Sequence, residues 1–183
     1  MKDIFYTNRL IIRKYNKSDI DAYLNVIKNE KIYKTTYAIP KNYSRVQAEK
    51  WFKLLNIAFR NGLSYEFGIF DKTFNNYIGN CGIINVNKKL FSGAISYFID
   101  PNFWNNGYAS EATKKMLDFA FYELFLMRVS GTCMSTNSAS RRVMEKNGFK
   151  YEGTARAELF KNGKFLDVDH LAILRHEFVK NNI

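Results

Sequence analysis

Proline, cysteine and histidine are all scarce, with two of each in 183 residues. So few prolines, with no Gly/Ser-rich stretch, leave little room for an interdomain linker. Cys81 and Cys133 each lie in an apolar, strand-like run, with no second Cys or His at metal-ligand spacing. They read as two reduced thiols packed in a core, not as a disulfide frame or a metal site. His170 and His176 both fall near the C-terminus, a poor supply for a zinc enzyme or a Ser-His-Asp hydrolase; no metal is expected. No apolar run approaches the roughly 18–20 residues of a membrane span. The opening, MKDIFYTNRLIIRKYNKSD, is broken by charges every few residues and does not read as a signal peptide. The expected location is cytoplasmic, with no membrane partner.

Apolar residues are not scarce: they make up 46% of the chain, which is ample for a packed core and excludes a disordered composition. The length fits one domain spanning 1–183. Net charge is +11, from 28 basic and 17 acidic residues, a balance that favours acidic surroundings: nucleic acid, ribosomes or a polyanionic cofactor. Neither an arginine-rich block nor a zinc-finger or RNP-type signature is present, so much of this charge reads as a solvated surface.

Periodicity predicts seven strands and four helices. A first strand covers about Phe5–Arg13, and a helix capped by Ser18 runs to about Lys28 with Ile20, Leu24 and Ile27 on one face. A longer helix from Ser44 to about Arg60 carries the stripe Ala48, Trp51, Phe52, Leu55 and Phe59, and stops at Asn61-Gly62. Strands follow at Leu63–Phe70, Tyr77–Val86 and Phe91–Ile99, joined by turn-like links that suggest antiparallel pairing. Then come a helix from about Gly107 to Phe125, a strand at Arg128–Met134 and a short helix from Ser138 to Lys146. Two last strands, Tyr151–Phe160 and Phe165–Phe178, flank a Lys161-Asn162-Gly163 turn. The order is that of an α/β (α+β) fold: a mixed, mostly antiparallel central sheet of about seven strands flanked by about four helices.

The most telling segment is YFIDPNFWNNGYASEA, Tyr97 to Ala112. A strand ends, a polar loop with a glycine follows, and a helix starts at once. Free backbone N–H groups and the helix dipole make such a junction an anion cradle. Gly107 allows close backbone approach and Ala109 keeps the first turn uncrowded.

FWNNGYASEA resembles the W-G-x-G-Y-A-T-E-A segment of the RimJ/RimL-like branch of the GNAT superfamily, which acetylates protein N-termini. NSASRRVMEKNGF is similar to that branch's N-x-x-S-x-x-V-x-E-K-x-G-F. The tail YEGTAR…NGKFLDVDHLAILRHEF and the opening TNRLIIRKYNKSDIDAYL are similar to its close and start, so the likeness runs through almost the whole chain in the correct order. The resemblance implies a GNAT fold and acetyl-CoA as cosubstrate. It implies that backbone groups of Phe98 and Ile99 pair with the pantetheine arm, and that Asn105, Asn106, Gly107, Tyr108 and Ala109 wrap the pyrophosphate. It implies that Asn137 hydrogen-bonds the pantetheine region, and that Ser140 protonates the departing thiolate.

The departures matter too. Trp104 opens the pyrophosphate loop, as is usual in this branch. Met144 stands where many GNAT enzymes carry a tyrosine acid, which favours Ser140. Where the branch often reads E-x-G-Y, this chain reads Ala94-Ile95-Ser96-Tyr97, so the carboxylate expected to act as base is absent. Alternation puts Ala94, Ser96 and Phe98 on one face of that strand, and Ile95, Tyr97 and Ile99 on the other. Replacement bases on paper are Glu66, Glu158, Asp169 and His170.

An α-amine, with pKa of about 8, has an appreciable neutral fraction at cytoplasmic pH; a lysine or polyamine amine, at about 10, has almost none. A missing base therefore hurts an N-terminal acetyltransferase least. The expected reaction is acetyl transfer to a peptide or protein α-amine in a ternary complex, with ribosome proximity suggested by the basic charge. The alternatives are a small-amine acetyltransferase (polyamine, amino acid or antibiotic) and a non-catalytic acyl-CoA-binding module. The expected state is a monomer or weak homodimer.

Overall fold

A computed structural model describes residues 2–180, the side chain of the last excepted. Eight strands form one sheet: β1 (Ile4–Tyr6), β2 (Leu10–Arg13), β3 (Tyr65–Asp71), β4 (Tyr77–Asn87), β5 (Ser92–Ile99), β6 (Arg128–Met134), β7 (Lys150–Lys161) and β8 (Lys164–Leu174). Six helices accompany them: α1 (Ile20–Ile27), α2 (Glu30–Thr35), α3 (Arg45–Asn61), α4 (Tyr108–Asp118), α5 (Ser138–Lys146) and α6 (Arg175–Lys180). The spatial order is β1-β2-β3-β4-β5-β6-β8-β7, and every pairing is antiparallel except β5 with β6. The α/β class and the mixed sheet are as the sequence implies.

Four differences from the sequence reading appear, the first three with local causes. The single strand expected over Phe5–Arg13 is a hairpin. Thr7 turns the chain by accepting a hydrogen bond at its side-chain oxygen from Leu10 N–H (2.9 Å) and donating its own N–H to Leu10 O (3.0 Å). The α2 helix was not expected, because Ile32 is the only residue it buries; it starts at Asn29, whose side chain accepts from Lys31 N–H. The last strand ends at Leu174 instead of Phe178, where the Leu174 N–H donates to the Glu177 carboxylate (3.0 Å) and the chain turns into α6. The α4 helix also stops early and continues as a wider turn over Phe119–Glu123.

Elsewhere local chemistry sets the boundaries. Ser44 and Gln47 form a reciprocal capping box at the start of α3, and Gly62 ends it at φ +69°. The sheet is covered on both faces. Phe67, Ile69, Ile83, Met116, Phe119 and Phe121 build the larger core under α4. Tyr23, Ile27, Ile32, Ala48 and Phe52 build the smaller one under α1–α3. Arg13 ties the first strands to α1 by donating from both terminal guanidinium nitrogens to Asp19, at 2.8 and 2.9 Å.

The feature that positions the site is a fork. β5 pairs with β6 only over Ser92–Ala94, opposite Arg128–Ser130, and then diverges from it. β6 stays with β8 along its whole length. The β5 edge from Ile95 to Ile99 therefore has no strand beside it.

Candidate functional site

A cleft of about 320 Å³ opens at this fork, lined by β5, the loop after it, the starts of α4 and α5, and the end of α2. Its charged lining is Arg142 and Lys146, and no carboxylate contributes to it. A cavity of one sign favours a polyanionic ligand.

Strand alternation decides which backbone groups face the fork. Asp100 N–H donates to Ile78 O on β4 (2.8 Å). Ser130 Oγ on β6 donates to Gly93 O (3.3 Å). Even-numbered residues of β5 thus turn their backbone to β4, and Ile95, Tyr97 and Ile99 turn theirs to the gap. Of the pair expected to present backbone groups there, Ile99 does so, with its carbonyl accepting from the Trp104 indole (2.6 Å). Phe98 is aimed at β4, because adjacent residues on a strand point opposite ways, and it contributes its ring to the cleft.

The loop after β5 makes a sharp left-handed turn into α4. Asn105 sits at φ +62° and Gly107 at φ +79°, so the chain turns through two left-handed positions before α4 begins at Tyr108. A Cβ on Gly107 would meet only Arg9 Nη2, at 3.5 Å. Glycine is therefore favoured by the backbone angle and not by lack of room. The N–H groups of Tyr108, Ala109 and Ser110 begin a helix and have no partner within it. Asn106 braces the loop, its side chain donating to Trp104 O (2.9 Å).

Arg9, from the β1–β2 turn, clamps the same loop. It donates to Asn106 O (2.9 Å), pairs with Glu111 (2.7 Å), and lies over the Tyr108 ring at 4.4 Å. Glu111 is partly desolvated, which alone would raise its pKa, but bonds from Thr7 and Arg9 bring it below the ordinary glutamate value.

At the other wall, Asn137 caps α5 by accepting from Ser140 N–H (3.1 Å), and its amide donates to Thr35 O at the end of α2 (3.1 Å). Ser140 lies in the cleft with a partner the sequence did not single out. The Tyr97 hydroxyl reaches across the fork to within 2.9 Å of Ser140 Oγ and also donates to Ser140 O at 3.0 Å. Burial holds the Tyr97 phenol well above its usual pKa, with the Ser140 bond pulling the other way. Met144, where a tyrosine acid was sought, is buried, and a Cβ on Gly131 would come within 2.4 Å of its sulfur. The signal for Tyr97 was its place beside Ile95 and Ile99 on the face turned to α4 and α5.

The four candidate bases separate clearly. Asp169 accepts from Ser135 and Thr154 (2.7 Å each) and from Arg141 (3.1 Å). Those bonds, led by the one from Ser135, lower its pKa and mark a structural carboxylate. Glu158 and His170 pair with each other at 2.6 Å on the exposed β7–β8 ribbon. Glu66 lies on the sheet face that carries Ser96, accepts from Asn80 Nδ2 (2.8 Å), and has its pKa raised by burial. Among the described residues no group of His, Cys, Asp and Glu could hold a metal ion, and no helix is long and apolar enough to cross a membrane.

Comparison with known proteins agrees with this geometry. The uncharacterized N-acetyltransferase YoaA of Bacillus subtilis is 28% identical over 175 residues, covering 96% of this chain and 98% of its own. RimL, a ribosomal L7/L12 α-N-protein acetyltransferase solved with coenzyme A, superposes with a TM-score of 0.85 at 21% identity, over 93% of this chain and 97% of RimL. Spermidine N-acetyltransferase from Vibrio cholerae, solved with CoA and spermine, superposes with a TM-score of 0.83 at 24% identity, over 94% and 99% of the two chains. These two structures share the fold and differ in acceptor. Residues 9–150 match the acetyltransferase (GNAT) domain, a span that contains the fork, its left-handed loop and both hydroxyls. The chain belongs to the GNAT family of acetyltransferases, enzymes that use acetyl-CoA.

Proposed function

We propose that the chain transfers the acetyl group of acetyl-CoA to the α-amine of a peptide or protein N-terminus, by direct attack in a ternary complex. The observation that carries this reading is the unpaired β5 edge running into a left-handed loop and the start of α4. An amide-bearing arm can add to that edge as an extra strand, on the backbone of Ile95, Tyr97 and Ile99. A pyrophosphate suits the free N–H groups of the loop and first turn, from Asn105 and Asn106 through Gly107, Tyr108 and Ala109. Arg142 and Lys146 add charge of the matching sign. Asn137, a lining residue of the cleft held between α2 and α5, is the side chain proposed to meet an amide of the arm.

Bound acetyl-CoA supplies an activated acyl group on sulfur; the chain's own residues must hold it, bring the amine to it and accommodate the leaving charge. Ser140 is the residue for the last task, with Tyr97 behind it at 2.9 Å. A free thiol has a pKa of about 8.5, below that of the buried phenol. The pair therefore acts by donating a hydrogen bond to charge developing on sulfur, more than by releasing its proton outright.

The choice of an α-amine follows from charge and pKa. An α-amine at about 8 needs far less help to become neutral than a polyamine nitrogen at about 10. A polycation favours a cluster of carboxylates, which the lining of the cleft does not offer, and is repelled by the net charge of +11. The same charge suits acceptors near a ribosome, whose RNA is a polyanion. The test is acetyl-CoA turnover against peptides with free N-terminal Ala, Ser or Met, set beside spermidine, lysine and aminoglycosides. Turnover on the peptides is expected. Turnover on a small amine alone would overturn the acceptor while leaving the donor site intact.

A further inference from the structure

We propose that Glu66 is the acceptor-side carboxylate of this enzyme, holding the incoming ammonium and taking its proton in place of the side chain that Ala94 lacks. This rests on the reading above that the reaction is amine acetylation, but not on which amine is used.

The sheet register makes the substitution possible. Glu66 on β3, Gly82 on β4 and Ser96 on β5 lie side by side in one row. A Cβ at Gly82 would come within 2.4 Å of Tyr65 O, 2.7 Å of Glu66 Cα and 2.8 Å of Glu66 Cγ. The bare backbone there lets the Glu66 side chain cross β4 and arrive at β5. Its Oε2 accepts from Asn80 Nδ2 at 2.8 Å and lies 3.5 Å from Ser96 Oγ. Ser96 shares its face with Ala94, and its neighbours Ile95 and Tyr97 present their backbone to the fork. The carboxylate missing from β5 is thereby supplied from two strands away.

Asn80 is locked in the donating orientation, because its Oδ1 accepts from Tyr15 OH (2.7 Å), which is itself bonded to Tyr77 OH (3.1 Å). The second oxygen, Glu66 Oε1, receives no hydrogen bond among the described residues. The titratable groups that sense Glu66 are Tyr15, Tyr23, Tyr43, Tyr77 and Cys81, from the β2–α1 segment, α1, the segment before α3, and β4. None is a cation. A half-buried carboxylate without a counter-charge is costly, and an ammonium would relieve that cost. Aromatic rings lie near: Tyr23 stacks on Trp51 at 5.0 Å and meets Phe98, a lining residue of the cleft, at 6.4 Å, and aromatic faces attract ammonium groups. One carboxylate among aromatic rings suits an amine of single charge.

The protons balance as follows. Glu66 takes one proton from the ammonium and passes it to water. The freed lone pair bonds the acetyl carbon as the carbon–sulfur bond breaks. The nitrogen loses a second proton to solvent, and the thiolate, held at Ser140, regains one.

The experiment compares wild type and Glu66→Gln on whichever amine of the panel is turned over, from pH 6 to 10. Acetyl-CoA affinity, measured by calorimetry, should stay within twofold. At pH 7, kcat/KM should fall about 100-fold, the scale of a lost general base. Wild-type kcat/KM should drop as pH falls through the Glu66 titration, since only the ionised carboxylate accepts a proton. The deficit of the variant should shrink above about pH 9, where the amine is neutral unaided. Equal rates at pH 7, or a deficit that is the same at every pH, would overturn the proposal. A readout free of turnover uses wild-type protein carrying 13C-carboxyl glutamate, saturated with CoA and titrated with whichever amine of the panel is turned over. A saturable shift of the Glu66 signal is expected, and an unmoved signal would overturn the proposal. Turnover of a small amine but no peptide would refute the α-amine reading alone.

Discussion

The two sides of the fork are built in different ways. The donor side comes mostly from one stretch of chain, β5 through the first turn of α4, and it works with backbone: an unpaired edge, two left-handed residues and free N–H groups. The proposed acceptor side draws on side chains from β3, β4, β5, α1 and the segments before α1 and α3, and strand register brings Glu66, Gly82 and Ser96 into one row. A backbone site tolerates many side chains as long as the turn is kept. A side-chain site can keep its chemistry while moving the responsible residue to another strand. On the proposal above, Glu66 on β3 does the work for which Ala94 on β5 offers no carboxylate.

That contrast can be broken or sharpened by substitution. The largest effect is expected for Gly107→Glu, which puts a carboxylate and a non-glycine residue at φ +79° in the phosphate cradle. Acetyl-CoA affinity should fall at least 100-fold, or about 2.7 kcal/mol, as read by calorimetry; unchanged affinity would remove the loop from the donor site. Next are the hydroxyls between the two sides. Tyr97→Phe and Ser140→Ala should each lower kcat by about 100-fold, the lower end of the range for a lost hydrogen bond to developing charge, with acetyl-CoA affinity spared. Equal turnover in single-turnover assays would show that neither acts on the leaving group.

Arg9→Ala should weaken acetyl-CoA binding a few-fold by loosening the loop at Asn106, with about 1 kcal/mol or less lost in chemical denaturation because the Arg9 side chain is half-exposed. The smallest effect concerns Glu111. Its folded pKa is lowered, so its contribution is fully present above the ordinary glutamate value and is lost as pH falls through the depressed one. Denaturation curves of wild type and Glu111→Gln should therefore converge by about 1 kcal/mol at acid pH.

The same contrast explains what could be read from sequence. β6 and α5 were found with their observed ends, because Asn137 caps the helix and Asn147-Gly148 stops it within a few residues. The loop after β5 was equally legible, since its glycine, its polar run and the helix behind it are contiguous. The β1–β2 hairpin was missed because Thr7 and Asn8 interrupt an otherwise strand-like run by only a short turn. The α2 helix was missed because one buried isoleucine makes no periodic stripe. Glu66 appeared as one of four equal candidates. What distinguishes it, a glycine opposite on β4 and a serine beyond on β5, is a relation among residues up to 30 positions apart. Tyr97 and Ser140 are 43 apart and meet only because the strands diverge.

The most direct measurement is made on one peptide carrying both kinds of amine, a free N-terminal alanine and an internal lysine, incubated with the protein and acetyl-CoA at pH 7. Mass spectrometry then locates the acetyl group. Modification of the α-amine with the lysine untouched is the expected result. Acetyl on the lysine, or release of CoA thiol only when spermidine replaces the peptide, would contradict the assignment of the acceptor.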